Sequence, residues 1–315
     1  MISYLEFEKP VSQLQERIAE LRAAAEGDDV DITAELKRLE TKSADLLAST
    51  YSSLTPWQTT QVARHPQRPH FRDYVEHAFE DFVPLGGDRY YGDDDAILGG
   101  FARLNGRKVV LIGHEKGHDT ETRLKHNFGM GKPEGYRKAI RLMDLAGRFG
   151  IPVVTLVDTS GAFPGVEAEE RGQAEAIARS TEACLALPVP MVATIVGEGG
   201  SGGAVALASA ERVLMMEHAV YSVISPEGCA SILWRTAEKA PDAAEAMRVT
   251  AKQLKRLGVV DRIVTEPVGG AHRDHQTAAK TLAAVIDDEL SKLDGMPVDK
   301  LRRMREERFL KIGAS

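Results

Sequence analysis

The sequence has few cysteines and no long apolar run. Cys184 and Cys229 are the only cysteines among its 315 residues, and they lack any C-x-x-C spacing. This usage is typical of a reducing compartment and offers no thiolate zinc site, so we interpret both as buried small hydrophobic residues. The longest apolar runs fall well short of the roughly 20 residues that a membrane helix needs. The N-terminus also lacks the basic-then-apolar order of a signal peptide. We therefore expect a cytoplasmic protein that makes no membrane contact.

An excess of positive charge is lacking as well. The chain has 47 acidic and 40 basic residues, and this balance disfavours a general nucleic-acid binder. With 43% hydrophobic and 28% charged residues, the composition is that of a globular protein with one large or two small domains.

Glycine, by contrast, is concentrated at one place. Five glycines lie within the seven positions 197–203, between an apolar, strand-like run at 189–196 and a run of small residues at 204–210. Loss of so many Cβ atoms at a strand-to-helix corner indicates that another group approaches the backbone closely. Bare amides at a helix N-terminus suit an anion or a developing oxyanion. A plain turn that lets helix and sheet pack closely is the simplest alternative.

Part of this corner also matches a dinucleotide-binding motif. Gly197, Gly199 and Gly202 spell G-x-G-x-x-G, and Glu217 follows about 20 residues later, as such a site requires. A dinucleotide-binding oxidoreductase is therefore the alternative function that we keep.

A third interpretation is the nucleophile elbow of a hydrolase. Gly199, Ser201 and Gly203 spell G-x-S-x-G, and Asp261 and His272 follow in hydrolase order. Neither downstream residue lies in a recognisable triad context, which weakens this interpretation.

The segment from His114 to His118 matches H-E-x-x-H, with Glu115 as the acid. A zinc protease needs this motif on a helix, so that both imidazoles share one face. Here the segment leaves a strand and contains Gly117, and we therefore predict a loop.

The order of elements predicts a mostly parallel sheet with helical crossovers. Strands at 96–104 and 108–113 are joined through Asn105-Gly106, a strong hairpin signal. A helix from Pro133, closed by Gly150, leads to a strand at 152–157, and a long helix at 167–187 leads to the strand at 189–196. The glycine-containing turns at 158–165 and 197–203 then follow successive parallel strands. One backbone N–H group from each can converge on one oxygen.

Other patterns give smaller predictions. Apolar residues spaced by three and four at 11–25 and 32–46, around 27–29, predict a helical hairpin that packs on the body or on a partner. We predict a solvated loop for the basic stretch at 64–68 and a solvated turn for the acidic residues at 93–95. Asp158 and Ser160 are candidate catalytic residues, but turn and capping roles explain them better. Glu227 is a candidate base, but complementing a helix dipole explains it at least as well.

Several short sequence segments carry a family resemblance. They lie at residues 55–58, 64–66, 127–130, 133–139, 161–165, 168–173, 197–204, 221–230 and 266–272. In this order they resemble the alpha subunit of bacterial acetyl-CoA carboxylase carboxyltransferase, and the likeness runs from about residue 54 to residue 272. The N-terminal hairpin fits that family by position and type only.

The resemblance implies an α/β, crotonase-like fold of repeated strand-strand-helix units. We expect a helical hairpin at residues 1–53, the carboxyltransferase domain at 54–295 and a C-terminal helix at 296–315. In that family the alpha subunit pairs with a homologous beta subunit, which carries a zinc ribbon, in an α2β2 assembly.

The resemblance also implies the chemistry. A carboxyl group moves from carboxybiotin, held on the biotin carboxyl carrier protein that biotin carboxylase serves, to acetyl-CoA, and malonyl-CoA for fatty-acid synthesis results. The alpha subunit faces biotin and the beta subunit binds most of the acetyl-CoA. No metal is expected in this chain.

We assign site residues on this basis. The backbone N–H groups of Gly203 or Ala204 in one corner, and of Gly161 or Ala162 in the other, are the expected oxyanion hole. The biotin side of the pocket is assigned to Gly199, Gly200, Gly202 and Phe163. Whether Arg64, Arg68 or Arg137 contacts CoA or a partner stays open.

Overall fold

A computed structural model describes residues 3–25 and 33–313 of the chain. The helices within these ranges are α1 Lys9–Ala25, α2 Thr33–Ser52, α3 Pro56–Ala63, α4 Phe71–Ala78, α5 Thr120–Lys125, α6 Pro133–Phe149, α7 Val166–Glu170, α8 Gln173–Ala186, α9 Ser201–Ala208, α10 Pro226–Trp234, α11 Ala240–Met247, α12 Ala251–Arg256, α13 His275–Leu293 and α14 Val298–Lys311. The strands are β1 Glu80–Pro84, β2 Ile97–Leu104, β3 Arg107–His114, β4 Val153–Thr159, β5 Met191–Gly200, β6 Arg212–Met216, β7 Val220–Ser222 and β8 Arg262–Val264.

These strands form one sheet, in the order β1-β2-β3-β4-β5-β6-β8, with β7 paired to β5. Strands β1, β2 and β3 pair antiparallel, and the pairs from β3 onward are parallel. Strands β4 and β5 are buried along their whole length, as expected for strands with helices on both faces of the sheet. The predicted parallel sheet with helical crossovers is confirmed.

Two local signals are borne out. Asn105 and Gly106 both adopt positive φ, 49° and 77°, in the turn that joins β2 to β3, as a tight hairpin of primed type requires. Helix α6 begins at Pro133 and ends at Gly150, which adopts the left-handed conformation.

Two boundaries differ from the predictions. The long helix predicted at 167–187 is two helices, α7 and α8, because Gly172 lies between them in the left-handed conformation (φ 79°). The strand predicted to end at 196 continues to Gly200, because its last three residues pair with β7.

Each of the two stretches predicted as solvated contains a charged residue that is anchored in the interior. Arg68 is 1% exposed and forms a bidentate ion pair with Glu266, at 2.6 and 3.0 Å. Asp94 is 2% exposed and accepts the N–H groups of Ala96 and Lys132, both at 3.1 Å. Burial raises the pKa of Asp94 to about 6. The solvated-loop prediction was therefore wrong at Arg68, whose partner Glu266 is distant in the sequence. The solvated-turn prediction was wrong at Asp94, whereas Asp93 and Asp95 are exposed.

The N-terminal helices dock on the body through a buried polar cluster. The Glu8 carboxylate accepts hydrogen bonds from the Tyr51 hydroxyl at 3.0 Å and from Arg273 at 2.6 Å. The imidazoles of His65 and His272 stack behind it, with ring centroids 3.9 Å apart. Packing on the body is thus confirmed, while the hairpin turn at 27–29 lies outside the described residues.

The C-terminal helix α14 is fixed by a second buried pair. Arg305, fully buried, donates to Glu211 at 2.7 and 3.0 Å and to the Val189 carbonyl at 2.6 Å. The division of the chain into three parts at residues 53 and 295 stays a prediction. Within the described ranges, no helix combines the length and the apolar character that crossing a bilayer would demand.

The histidine stack predicts a pH-dependent stability. Burial and the neighbouring His65 and Arg273 lower the pKa of His272 to about 3, from an ordinary value of 6.5. The unfolded chain therefore takes up a proton that the folded chain refuses, so stability is full above pH 6.5 and is lost as the pH falls below it. Between about pH 7.5 and pH 5.5 this single group costs about 1.4 kcal/mol in the free energy of unfolding.

We expect urea unfolding of the His272→Phe chain to depend less on pH than that of the unsubstituted chain, by about this amount. Identical pH profiles for the two chains would show that His272 is not the group responsible.

Candidate active site

The two glycine-containing corners lie against each other at one edge of the sheet. Strand β4 ends at Thr159 and its neighbour β5 ends at Gly200, where α9 begins. A Cβ atom added to Gly200 would lie 2.2 Å from the Ser160 carbonyl oxygen. One added to Gly203 would lie 2.8 Å from the Gly161 carbonyl carbon and 2.9 Å from the Ala162 nitrogen. Only glycine fits at these two positions, because the two backbones are in direct contact.

The four predicted donor amides are not equivalent. The Gly161 N–H group donates to Thr159 Oγ1 at 3.1 Å, whereas the Ala162 N–H group has no partner within the described part of the chain. In α9 the N–H group of Gly203 belongs to the first turn, which precedes the helix's own ladder. Gly203 is also the residue that lies against Ala162, and we therefore take Ala162 and Gly203 as the donor pair.

The residues predicted for the biotin side do not share one surface. Gly202 lines a cavity, whereas Gly199 packs beside the Tyr221 ring and Gly200 against Ser160. Phe163 lies in the other corner, where its N–H group donates to the Gly131 carbonyl at 3.0 Å and Lys132 Nζ lies 4.8 Å from its ring centroid.

The cavity at the N-terminus of α9 has a volume of about 410 Å³ and is mostly apolar. Its lining is Ser201, Gly202, Val205, Tyr221, Ser222, Val223, Met247, Leu254 and Val259. A flat ligand with an aliphatic chain suits such a lining, and the free amides at the start of α9 lie at its edge.

A second cavity, of about 230 Å³, lies beside the corner at Ser160 and Glu198, and most of its lining residues are charged or polar. Arg64 bridges two carboxylates there, with distances of 2.6 Å to Glu198 and 2.6 Å to Glu227. Lys116 Nζ lies 2.7 Å from Asp158 Oδ1. Glu227 therefore has a defined ionic partner in addition to its position at the start of α10.

The sequence pattern does not predict this cluster of charged side chains. Asp158 was assigned to a turn, yet it is 1% exposed at the end of β4. Burial alone would raise its pKa, but Lys116 and His70 lower the pKa of Asp158 well below the usual range. The one available signal was Glu198, the single charged residue inside the glycine run.

The H-E-x-x-H segment begins at His114, the last residue of β3, and continues as the predicted loop. His114 is buried, and burial lowers its pKa to about 4. His118 instead pairs with Asp73 at 3.1 Å. Among the described residues, no group of three or more His, Cys, Asp or Glu side chains is arranged to hold a metal ion.

The residues of a hydrolase triad are engaged elsewhere. Asp261 accepts the Val213 N–H group at 2.7 Å and pairs with Arg308, while His272 stacks on His65. Ser201 adopts a positive φ of 52° at the start of α9, but its hydroxyl has no hydrogen-bond partner in the described ranges. The geometry gives Ser201 no base.

Two solved enzyme structures share the crotonase-like fold of this chain. A Pseudomonas malonate decarboxylase hetero-tetramer in complex with coenzyme A aligns with a TM-score of 0.57 at 17% identity, over 68% of this chain and 86% of that chain. Transcarboxylase 12S aligns with a TM-score of 0.55 at 21% identity, over 69% of this chain. This chain spans 42% of that longer one.

Sequence comparison narrows the class to one family. The family model described as acetyl co-enzyme A carboxylase carboxyltransferase-like matches residues 4–313. The acetyl-coenzyme A carboxylase carboxyl transferase subunit alpha of Erythrobacter litoralis is 82% identical over 99% of this chain and all of its own length. That of Zymomonas mobilis is 66% identical over 99% of this chain and all of its own length.

The chain therefore belongs to the family of acetyl-CoA carboxylase carboxyltransferase alpha subunits. It is a transferase subunit of a multi-subunit enzyme of fatty-acid biosynthesis that acts on an acyl-CoA. The resemblance inferred from the sequence is confirmed, and the dinucleotide-binding alternative receives no support. Glu217 accepts the Glu266 N–H group at 3.3 Å.

We expect Ser201→Ala to keep at least about a third of the carboxyltransferase rate, because the Ser201 hydroxyl has no base beside it and is not the nucleophile. Removal of a catalytic nucleophile would lower kcat by about 10⁶-fold. The measurement is malonyl-CoA formation by the assembled enzyme. A larger loss, or a covalent adduct on Ser201, would restore the hydrolase interpretation.

Proposed function

We propose that this chain supplies the biotin side of carboxyl transfer to acetyl-CoA, with malonyl-CoA as product. The observation that carries the proposal is the contact between the two corners, where the free amide of Ala162 lies against Gly203. The carboxyl donor is carboxybiotin, presented by the biotin carboxyl carrier protein after its carboxylation by biotin carboxylase.

The amides suit the charge that this reaction creates. Carboxybiotin supplies the carboxyl group when bound, and its transfer leaves negative charge on the ureido oxygen. The N–H groups of Ala162 and Gly203 would donate to that oxygen more strongly than to the neutral ground state, which is how a preorganised donor pair lowers a barrier. The positive end of α9 adds to the same effect.

The apolar cavity suits the remainder of the donor. Val205, Val223 and Met247 form its apolar wall, and Ser201 and Gly202, at the N-terminus of α9, line its edge. A fused ring with an aliphatic arm would bury apolar area against this wall, while its single polar oxygen reaches the amides. Phe163, on the neighbouring corner, would close the biotin side of the site.

An exposed apolar surface on this chain supports the proposal that a partner subunit binds there. Val223, Ile232, Leu233 and Trp234 are 79%, 71%, 65% and 44% exposed. They lie on α10 and the segment before it, and Val223 also lines the apolar cavity. Large apolar side chains exposed in this way, three of them consecutive on α10, mark interaction sites. We propose that the homologous beta subunit, which binds most of the acetyl-CoA, covers this surface in an α2β2 assembly.

We expect Gly203→Ala to lower kcat by about 100-fold or more while the complex still assembles, since losing one oxyanion donor costs 10²- to 10³-fold. The added methyl group would lie under 3.0 Å from two backbone atoms of the other corner, so the corners must separate. Gly203→Val should be nearly inactive. The assay is biotin-dependent malonyl-CoA formation with purified beta subunit, with and without this chain.

Gly147→Ala is the matched control. It adds the same methyl group to a helix glycine whose nearest neighbour is the Pro188 ring at 3.0 Å, away from the corners. Its kcat per assembled complex should equal that of the unsubstituted chain. Normal turnover by the Gly203→Ala complex would remove the assignment of the corner.

We expect Leu233→Glu to weaken association with the beta subunit by at least about tenfold, because a charge would be buried in an apolar interface. Leu310→Glu, at an equally exposed leucine on α14 (70%), is the control and should leave association unchanged. Equal affinities of both variants, measured by calorimetry, would place the interface elsewhere.

A further inference from the structure

The sheet is interrupted immediately before the two corners. Strands β4 and β5 pair in register up to Val157 and Ile195, and pairing resumes at Thr159 and Gly199. One residue of β4, Asp158, therefore faces three residues of β5, which are Val196, Gly197 and Glu198. Such bulges re-aim a strand and are frequent beside active sites.

The other side of β5 changes partner at the same place. Its pairing with β6 ends at Ile195, opposite Met215, and its pairing with β7 begins at Glu198, opposite Val220. Val196 and Gly197 thus have no strand partner in these registers. The direction in which β5 enters the second corner is set at this point by something other than the ladder.

Two buried side chains take the place of the missing ladder. Asp158 Oδ1 accepts the Glu198 N–H group at 2.9 Å. On the same bulge, Arg68 Nε donates to the Val196 carbonyl oxygen at 2.8 Å. Gly197 is held so closely that an added Cβ would lie 2.4 Å from Asp158 Oδ1.

The charge of each side chain is balanced in the interior. Lys116 Nζ lies 2.7 Å and His70 Nδ1 lies 3.2 Å from the Asp158 carboxylate. Arg68 is neutralised by Glu266. A buried carboxylate is costly unless it is paired and hydrogen-bonded. Lys116 and His70 provide this pairing, so the interior accommodates the charge that holds the Glu198 N–H group.

We propose that Asp158 is a positioning residue for carboxyl transfer, whose carboxylate fixes the spacing between the two corners so that the Ala162 and Gly203 amides meet at one oxygen. Asp158 is the first residue of the corner at 158–165, and the N–H group that it holds, that of Glu198, lies two residues before Gly200. One carboxylate therefore connects the stems of both corners. The inference rests on the proposed function of these amides.

The effect should appear in turnover. A change of about 1 Å in the placement of catalytic groups can cost 10²-fold. Asp158 touches neither predicted donor, so substrate binding should change little when it is altered. A side chain that only stabilised the fold would lower the amount of assembled enzyme and leave its turnover unchanged.

The test uses three chains in the complex with the beta subunit, namely Lys116→Met, Lys116→Met/Asp158→Asn and Lys116→Met/Asp158→Leu. Removing the ammonium group first avoids leaving the partly buried Lys116 without its nearest carboxylate. Asparagine and leucine both resemble aspartate in size, but only asparagine keeps an oxygen that can accept the Glu198 N–H group. The two double variants therefore differ in that one hydrogen bond.

Relative to Lys116→Met, we expect the leucine variant to lose about 100-fold in kcat per assembled complex, with the KM for acetyl-CoA within about twofold. The asparagine variant should recover at least about tenfold of that loss. Equal kcat values for the two double variants would overturn the proposal. Should the leucine variant not assemble, Asp158→Ser takes its place, because the shorter hydroxyl cannot span to the amide.

A buried ion pair away from the corners controls for general destabilisation. Glu211→Gln disrupts the fully buried pair with Arg305, and its kcat per assembled complex should stay unchanged. Gly203→Ala distinguishes a failure of the proposed function from a failure of the positioning role of Asp158. If that variant turns over normally, the proposed function fails. If it is inactive while leucine and asparagine at 158 are equivalent, the positioning role alone fails.

Discussion

The contact between two turns of backbone is the constraint on which the rest of this structure depends. Gly200 and Gly203 approach Ser160 and Ala162 so closely that no side chain fits between them. This approach leaves free amides from different parts of the chain side by side, which side chains could not achieve at the same spacing. The entropic cost of glycine-rich segments, up to about 1 kcal/mol for each glycine, is offset by the surrounding packing.

Buried charges provide that surrounding framework. Arg68 and Asp158 each have a counterion and a bond to the backbone of β5. Such pairs contribute little net stability compared with apolar residues, but removing one partner is costly because it leaves a buried charge unpaired. In this chain they hold β5 where it enters the second corner. In the function proposed above, the apolar cavity beside α9 accepts the ligand.

The sequence carried the local part of this architecture. Asn105-Gly106, Pro133 and Gly150 marked a hairpin and a helix because turn and cap geometry depends on a few neighbouring residues. The convergence of the corners followed from the order of strands and helices. The break at Gly172 was missed, since an isolated glycine in a helical pattern is often tolerated. The extension of β5 to Gly200 was missed because glycine has little strand propensity and the pairing with β7 is a tertiary effect.

The buried charges could not be predicted in the same way. Arg68 and Glu266 are 198 positions apart, and Asp158 and Glu198 are 40 apart. Nothing in a local pattern distinguishes such a charge from one in a solvated loop, which is why residues 64–68 and 93–95 were expected at the surface. The sequence likewise predicted which two corners hold the donors, but not which amide in each corner is free. The hydrogen bond from the Gly161 N–H group to Thr159 Oγ1 distinguishes Gly161 from Ala162, and it depends on the actual turn geometry.

The most direct measurement is a structure of the assembled carboxyltransferase with biotin bound. The account predicts the ureido oxygen about 2.7 to 3.1 Å from the backbone nitrogens of both Ala162 and Gly203, the distance range of an oxyanion hole, with the ring against Val205 and Val223. An oxygen held by side chains, or a biotin ring seated away from this corner, would contradict it.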